Sequence, residues 1–111
     1  MGSNPIRPIM DRKYVVKYMK QWCGRLGMEV PPIAMRNLNT MGSISYHKDE
    51  PNNRQPHISI NKALLMWWMR DELEDTIRHE LIHIASDDYG HGSDFKKYAK
   101  RYNVKIRDED T

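Results

Sequence analysis

Cysteine is almost absent. The single thiol of this 111-residue chain, Cys23, cannot close an internal disulfide. That excludes the small disulfide-stapled secreted scaffolds and makes a reducing, cytoplasmic interior the simplest home. Long apolar runs are missing as well: no window approaches the roughly 18 residues of a membrane span, and no charged-then-apolar leader marks secretion. A myristoylation signal wants serine or threonine at position 6, which is Ile6 here. There is no internal repeat and no low-complexity segment, so the chain reads as one small domain of ordinary composition, expected as a monomer over residues 11–107, with a loose arm at 1–10 and a tail at 108–111.

What is present is concentrated in His79-Glu80-Leu81-Ile82-His83, an H-E-x-x-H pattern inside a helix predicted from about Asp71 to Ser86. Residues four apart lie on one helical face a turn apart, so two imidazoles can converge on one metal ion. Glu80 stands beside them as a carboxylate able to take a proton from water. Neutral imidazoles, an open coordination position and a base are what a zinc hydrolase needs. The bland alternative is an amphipathic helix with solvated histidines. Leu73, Ile77, Leu81 and Ile84 recur at helical spacing and predict burial of one side, with Ile82 and Ala85 on a second flank. Polar residues interrupting so apolar a centre need partners, which a metal supplies.

Two ligands make a weak site. Had the helix continued, His91 would stand about 12 Å up the axis, beyond any shared ion. Asp87-Asp88-Tyr89-Gly90 instead reads as a turn ending in a glycine suited to left-handed backbone, so the chain can double back and deliver His91 as third ligand. Asp87, Asp88 and Glu109 are less well placed acidic alternatives. Ser93-Asp94 then looks like the N-cap of a last helix in which Phe95, Tyr98, Ala99 and Tyr102 share a face.

The run from Thr76 to Ile84, followed by a turn and His91-Gly92-Ser93-Asp94-Phe95, resembles the SprT-like family of zinc metallopeptidases, with its H-E-x-x-H, turn and H-G-x-x-[FW]. The likeness is tightest over residues 71–102. It extends more loosely over 30–70, where Met41-Gly42-Ser43-Ile44 and His57-Ile58-Ser59-Ile60-Asn61 match strand patterns of the family. The resemblance implies that His79, His83 and His91 bind Zn2+, that Glu80 is the catalytic residue, and that proteins bound or crosslinked to DNA are substrates. Many members carry a cysteine-rich zinc ribbon, which a chain with one cysteine lacks. Ser86 and Tyr89 stand where a metzincin would have glycine and histidine.

The rest of the chain predicts a helix from about Asp11 to Trp22, with Val15, Tyr18, Met19 and Trp22 toward the core and Gly24 as its end. Pro31-Pro32 blocks further helix, leaving Ile33–Leu38 as an extended edge segment. Two strands follow, about Gly42–His47 and His57–Ile60, joined hairpin-fashion through the polar loop Lys48–Pro56. The expected fold class is α+β: a sheet of about three strands packed with an N-terminal helix, the H-E-x-x-H helix and a closing helix, in zincin-like fashion. An edge strand beside the metal would hold an extended peptide by β-augmentation. His47 and His57 are expected off the metal. Met66-Trp67-Trp68-Met69 reads as a helix entry packing the core rather than an apolar lip, and Asp71 with Glu74 as a capping pair.

Charge is uneven. Residues 1–60 carry nine Lys or Arg against four acids, and residues 61–111 nine against eleven. Lys13, Lys17 and Lys20 on the first helix and Lys96, Lys97, Lys100 and Arg101 on the last, with Lys105 and Arg107 beyond, form candidate phosphate contacts for nucleic acid, which would place the protein at a nucleoid or nucleus. Tyr89, Tyr98 and Tyr102 are candidates to assist an oxyanion. The rival readings are a zinc-stabilised DNA-binding or interaction module without turnover, and a zinc hydrolase of non-peptide bonds.

Overall fold

The computed structural model describes residues 11–46, 56–88 and 90–105. The expected arm at 1–10, His47, most of the 48–56 loop, Tyr89, Arg107, Glu109 and the 108–111 tail lie outside the described residues.

Helix α1, Arg12–Leu26, starts where the Asp11 carboxylate accepts the Tyr14 N–H at 3.0 Å, and ends at Gly27, whose φ of 70° lets its N–H return to the Cys23 carbonyl. Gly24 does not stop the helix. It lies inside it, with open space where a Cβ would stand, and one internal glycine costs only about 1 kcal/mol against alanine. Val15, Met19, Trp22 and Cys23 are buried.

Strands β1 (Ile33–Arg36), β2 (Gly42–Tyr46) and β3 (Pro56–Asn61) form one sheet in the order β1-β3-β2. β3 runs parallel to β1 and antiparallel to β2, with Ile58 opposite both Ile33 and Ile44. Both β1 and β2 are therefore edges. Passing from β1 to β2, the chain crosses the C-terminal end of β3, where Asn61 gathers it: its backbone N–H donates to the Met41 carbonyl (2.9 Å) and its side-chain amide donates to the carbonyls of Leu38 (3.0 Å) and Thr40 (2.9 Å). The same side chain accepts from the Ala63 N–H and so starts a 3-10 turn, Lys62–Leu65.

A second 3-10 turn, Trp67–Met69, leads into helix α2, Arg70–Ser86. Met66–Met69 packs the core only in part: Met69 lies against it, half-buried, but the two indoles do not. Trp67 and Trp68 are each 58% exposed, meeting edge to face at 5.8 Å, because a three-residue turn cannot bury two adjacent indoles on one side. Nor do Asp71 and Glu74 cap the helix. Met69 holds the N-cap position without a side-chain bond, and Glu74 turns inward to accept from the Tyr14 hydroxyl of α1 and from Arg70 (3.3 Å). Leu73, Ile77, Leu81 and Ile82 are fully buried, while Ile84 is only partly so. Helix α3, Ser93–Arg101, buries Phe95 and Ala99, with Tyr98 and Tyr102 stacked at 6.3 Å on its flank. Its N-cap is Gly92, one residue before the expected Ser93-Asp94. The result is an α+β domain in which α2 lies between the sheet and α3.

Candidate metal centre

Thr76, His79, Glu80 and His83 line one face of α2 at helical spacing, and all four open on a cleft of about 630 Å³. The facing wall is Asn39, Thr40, Met41, Gly42, Ser43 and Asn61, so the edge strand β2 begins beside the histidines. Gly42 allows this closeness: a Cβ there would stand 2.8 Å from Thr76 Cγ2 and 3.2 Å from the Ser59 carbonyl oxygen, both shorter than ordinary contact. Without that glycine the strand and helix would have to part.

Three of the five histidines meet. The Nε2 atoms of His79, His83 and His91 form a triangle with sides of 3.1, 2.9 and 3.1 Å. The Nδ1–H of His83 donates to the Asp88 carbonyl oxygen at 2.7 Å. A carbonyl can only accept, so Nδ1 carries the proton and the His83 Nε2 lone pair points at the other two rings. Ring nitrogens that close repel unless a proton or a cation lies among them. Nitrogens bound to one tetrahedral ion at 2.0–2.1 Å would lie about 3.3 Å apart, within a few tenths of the observed separations. The cluster therefore fits a metal ion, and the three side chains are close enough to bind one. Imidazole donors suit Zn, Cu, Fe or Ni. His57 is not in the cluster; it lies on β3, along a separate groove on the open face of the sheet with Ser43, Ser45 and Ser59.

Beneath the triad lies the ring of Phe95, the only phenylalanine in the chain. It is wholly buried, with centroids 5.1, 4.4 and 4.9 Å from those of His79, His83 and His91. From the sequence, Phe95 is a core residue of α3 and the last position of the H-G-x-x-[FW] pattern, with no place assigned beneath the imidazoles. Its position as the floor under all three imidazoles depends on how α3 folds back.

The turn that returns His91 differs from the one composition suggests. Among its described residues the left-handed ones are Asp87 (φ 52°) and His91 itself (φ 57°), not Gly90. Asp87 ends α2, its N–H reaching the carbonyls of His83 and Ile84. Asp88, on sequence an alternative acidic ligand, turns its carboxylate instead to backbone: Oδ1 accepts from the N–H groups of Gly90 and Gly92 and Oδ2 from that of Phe95, each at 3.2 Å. The Phe95 and Gly92 N–H groups hold its carboxyl below the usual carboxylate range. Neither this network nor the role of Asn61 could be read in advance, although an Asp two residues before a glycine is a known local acceptor of backbone N–H.

A three-histidine centre carried by one helix and the turn after it, on an α+β scaffold with an edge strand across the cleft, is the arrangement of a metallopeptidase-like protein. The chain belongs to the SprT-like family, whose model matches residues 17–109. None of the curated proteins compared with it matches significantly. Among the described residues, no helix is long and apolar enough to cross a membrane.

Proposed function

We propose that this protein is a zinc-dependent endopeptidase that acts on DNA-bound or DNA-crosslinked proteins, working in the cytoplasm or wherever the DNA lies. Glu80 carries the reading. It is buried to 7% exposure yet lines the cleft, one residue from His79 and three from His83, and a purely structural metal site has no use for a base there.

His79, His83 and His91 would hold Zn2+, which supplies Lewis acidity at the scissile carbonyl and brings the pKa of coordinated water toward about 7. An extended peptide would pair with the outer edge of β2 starting at Gly42, which aligns its backbone across the cleft without demanding a particular side chain. The Glu80 carboxylate takes one proton from the attacking water as the water oxygen bonds to the carbonyl carbon. It then gives that proton to the departing nitrogen as the C–N bond breaks, so that Glu80 ends ionised as it began. Phe95 keeps the imidazoles from turning away, and the Asp88 carbonyl keeps the His83 proton on Nδ1.

The nucleic-acid part of the proposal rests on two exposed basic faces: Lys13, Lys17 and Lys20 on α1, and Lys96, Lys97, Lys100 and Arg101 on α3. The helices approach at their C-terminal ends. There Trp22 meets Tyr102 edge-on at 6.5 Å, with Arg25 over the first ring (4.2 Å) and Arg101 over the second (5.7 Å).

The test is cleavage of a basic DNA-binding protein by the zinc-loaded chain, with and without single-stranded DNA. Glu80→Gln should keep its zinc and lose about 10²- to 10⁴-fold in turnover. Equal cleavage by that variant would remove Glu80 from the chemistry. DNA-independent cleavage by the wild type would keep the peptidase and discard the nucleic-acid partner.

A further inference from the structure

We propose that Asp88 is a positioning residue that holds His83 and His91 in register for one metal ion, its main chain acting on the first and its side chain on the second. The inference rests on the metal-binding reading of the triad and not on peptidase activity.

Two of the three histidines stand on α2, where helical geometry fixes their spacing. The third does not. His91 sits in a loop with φ at 57°, a conformation unfavourable for any residue with a Cβ, and it persists only where its surroundings over-determine it. Those surroundings are Asp88. Oδ1 takes the N–H of Gly90, the residue before His91, and the N–H of Gly92, the residue after it. One oxygen thus straddles the histidine and leaves its backbone little freedom to relax toward negative φ. Oδ2 takes the N–H of Phe95, tying the same loop to the ring on which all three imidazoles rest.

The carbonyl of Asp88 meanwhile holds the Nδ1–H of His83 at 2.7 Å. A ligand histidine is commonly oriented by such a bond. Here the group that supplies it belongs to the residue whose side chain builds the third ligand's loop, so a shift of Asp88 displaces two corners of the triangle together.

Gly92 provides an independent observation. A Cβ at that position would stand 2.7 Å from Asp88 Oδ2 and 3.3 Å from its Cγ and Oδ1, so a side chain there would push the carboxylate out of its seat. The glycine leaves room for the clamp, and its φ lies outside the left-handed region where conformational freedom alone would call for glycine.

The experiment measures Zn2+ affinity by competition with a chromophoric chelator, and the visible absorption of the Co2+-loaded protein, for wild type, Asp88→Ala, Asp88→Asn, Gly92→Ala and Asp87→Gly. Asp88→Ala is expected to bind Zn2+ about 10- to 100-fold more weakly, with a changed Co2+ spectrum as His91 leaves the ion. Asp88→Asn keeps one acceptor oxygen and loses the other, and should fall between. Gly92→Ala should move affinity and spectrum the same way with Asp88 intact, which covers the case in which Asp88→Ala fails to fold. Asp87→Gly relaxes the neighbouring left-handed position on the exposed side of the turn and should leave both readouts at wild-type values.

A double-mutant cycle separates positioning from general loosening. If Asp88 acts through His91, Asp88→Ala in a His91→Ala background should weaken the residual affinity far less than it does in wild type. Wild-type affinity and spectrum in both Asp88→Ala and Gly92→Ala would overturn the clamp. So would full additivity with His91→Ala, or a loss in Asp87→Gly as large as that in Asp88→Ala. A wild-type protein that takes up neither ion would overturn the metal reading itself and this inference with it.

Discussion

The two ends of α2 are held in opposite ways. At its exit, the contacts that link the histidines run between residues close in sequence: His83 bonds to Asp88 five residues on, His91 reaches back twelve to His79, and the network closes at Phe95. At its entry, Met69 offers no side-chain cap and the indoles of Trp67 and Trp68 stand in solvent. That end is anchored across the fold, where the Tyr14 hydroxyl donates to Glu74, 60 residues away, and Arg70 donates to the Tyr14 oxygen at 3.0 Å. The three histidines are thus assembled within one short segment, residues 79–95. The domain fastens the other end of the same helix by a long-range contact that touches no metal-binding group. A site whose geometry must be held to fractions of an ångström is better served by short connections, because fewer soft dihedrals separate its parts.

The exit should be the more sensitive of the two ends. Phe95→Ala removes the wholly buried floor of the triad and should cost about 3–5 kcal/mol of stability, read from denaturant unfolding, together with a loss of metal affinity. A cost near that of a surface substitution would mean that the exit does not depend on its core contact. Next in size, zinc at about a hundred times its dissociation constant should add about 2.7 kcal/mol. In hydrogen exchange the slowing should fall on the amides of Gly90, Gly92 and Phe95 and leave those of residues 70–74 unchanged. Uniform slowing would show that the two ends are coupled.

The entry should respond more weakly. Tyr14→Phe removes the donor to Glu74 and should cost about 1.5 kcal/mol at neutral pH, with metal affinity unchanged. Burial, then Glu74, raises the Tyr14 pKa above its ordinary value of 10. The proton is therefore held more tightly in the folded chain than in the unfolded one. The contribution is complete below about pH 10 and declines as pH rises through the folded value, so the stability gap between Tyr14→Phe and wild type should narrow in that range. Smallest of all, Trp67→Ala and Trp68→Ala should each cost about 1 kcal/mol or less, although indole is larger than the Phe95 ring. A cost matching that of Phe95→Ala would show that those rings are core after all.

Much of the site was legible before the fold was known, for a specific reason. His79, Glu80 and His83 share a helix, and helical periodicity converts their spacing directly into a common face. The turn composition at Asp87–Gly90 correctly implied a reversal that brings His91 back. Legibility failed where geometry is set by the partner and not by the local residue type. Gly24 looked like a stop signal, yet the α1 terminus fell at Gly27, where a left-handed residue could close on Cys23. Gly90 looked like the left-handed residue of the turn, but Asp88 gathers the N–H groups on either side of His91 and places the unusual φ there instead. Trp67 and Trp68 looked apolar enough to be core, and Glu74 looked like a cap until Tyr14 of α1 came within reach of it.

Periodicity and turn composition along the chain sufficed for the main helices and strands and hence the α+β class, and spacing within one helix and its following turn sufficed for the three converging histidines and the carboxylate beside them. Tertiary structure decided the strand order β1-β3-β2, which makes β2 the edge at the cleft. It also decided the fit of Gly42 against Thr76, the Phe95 floor and the seat of the Asp88 carboxylate. These depend on distances between groups that no local periodicity relates, so they came into being only when α2 packed between the sheet and α3.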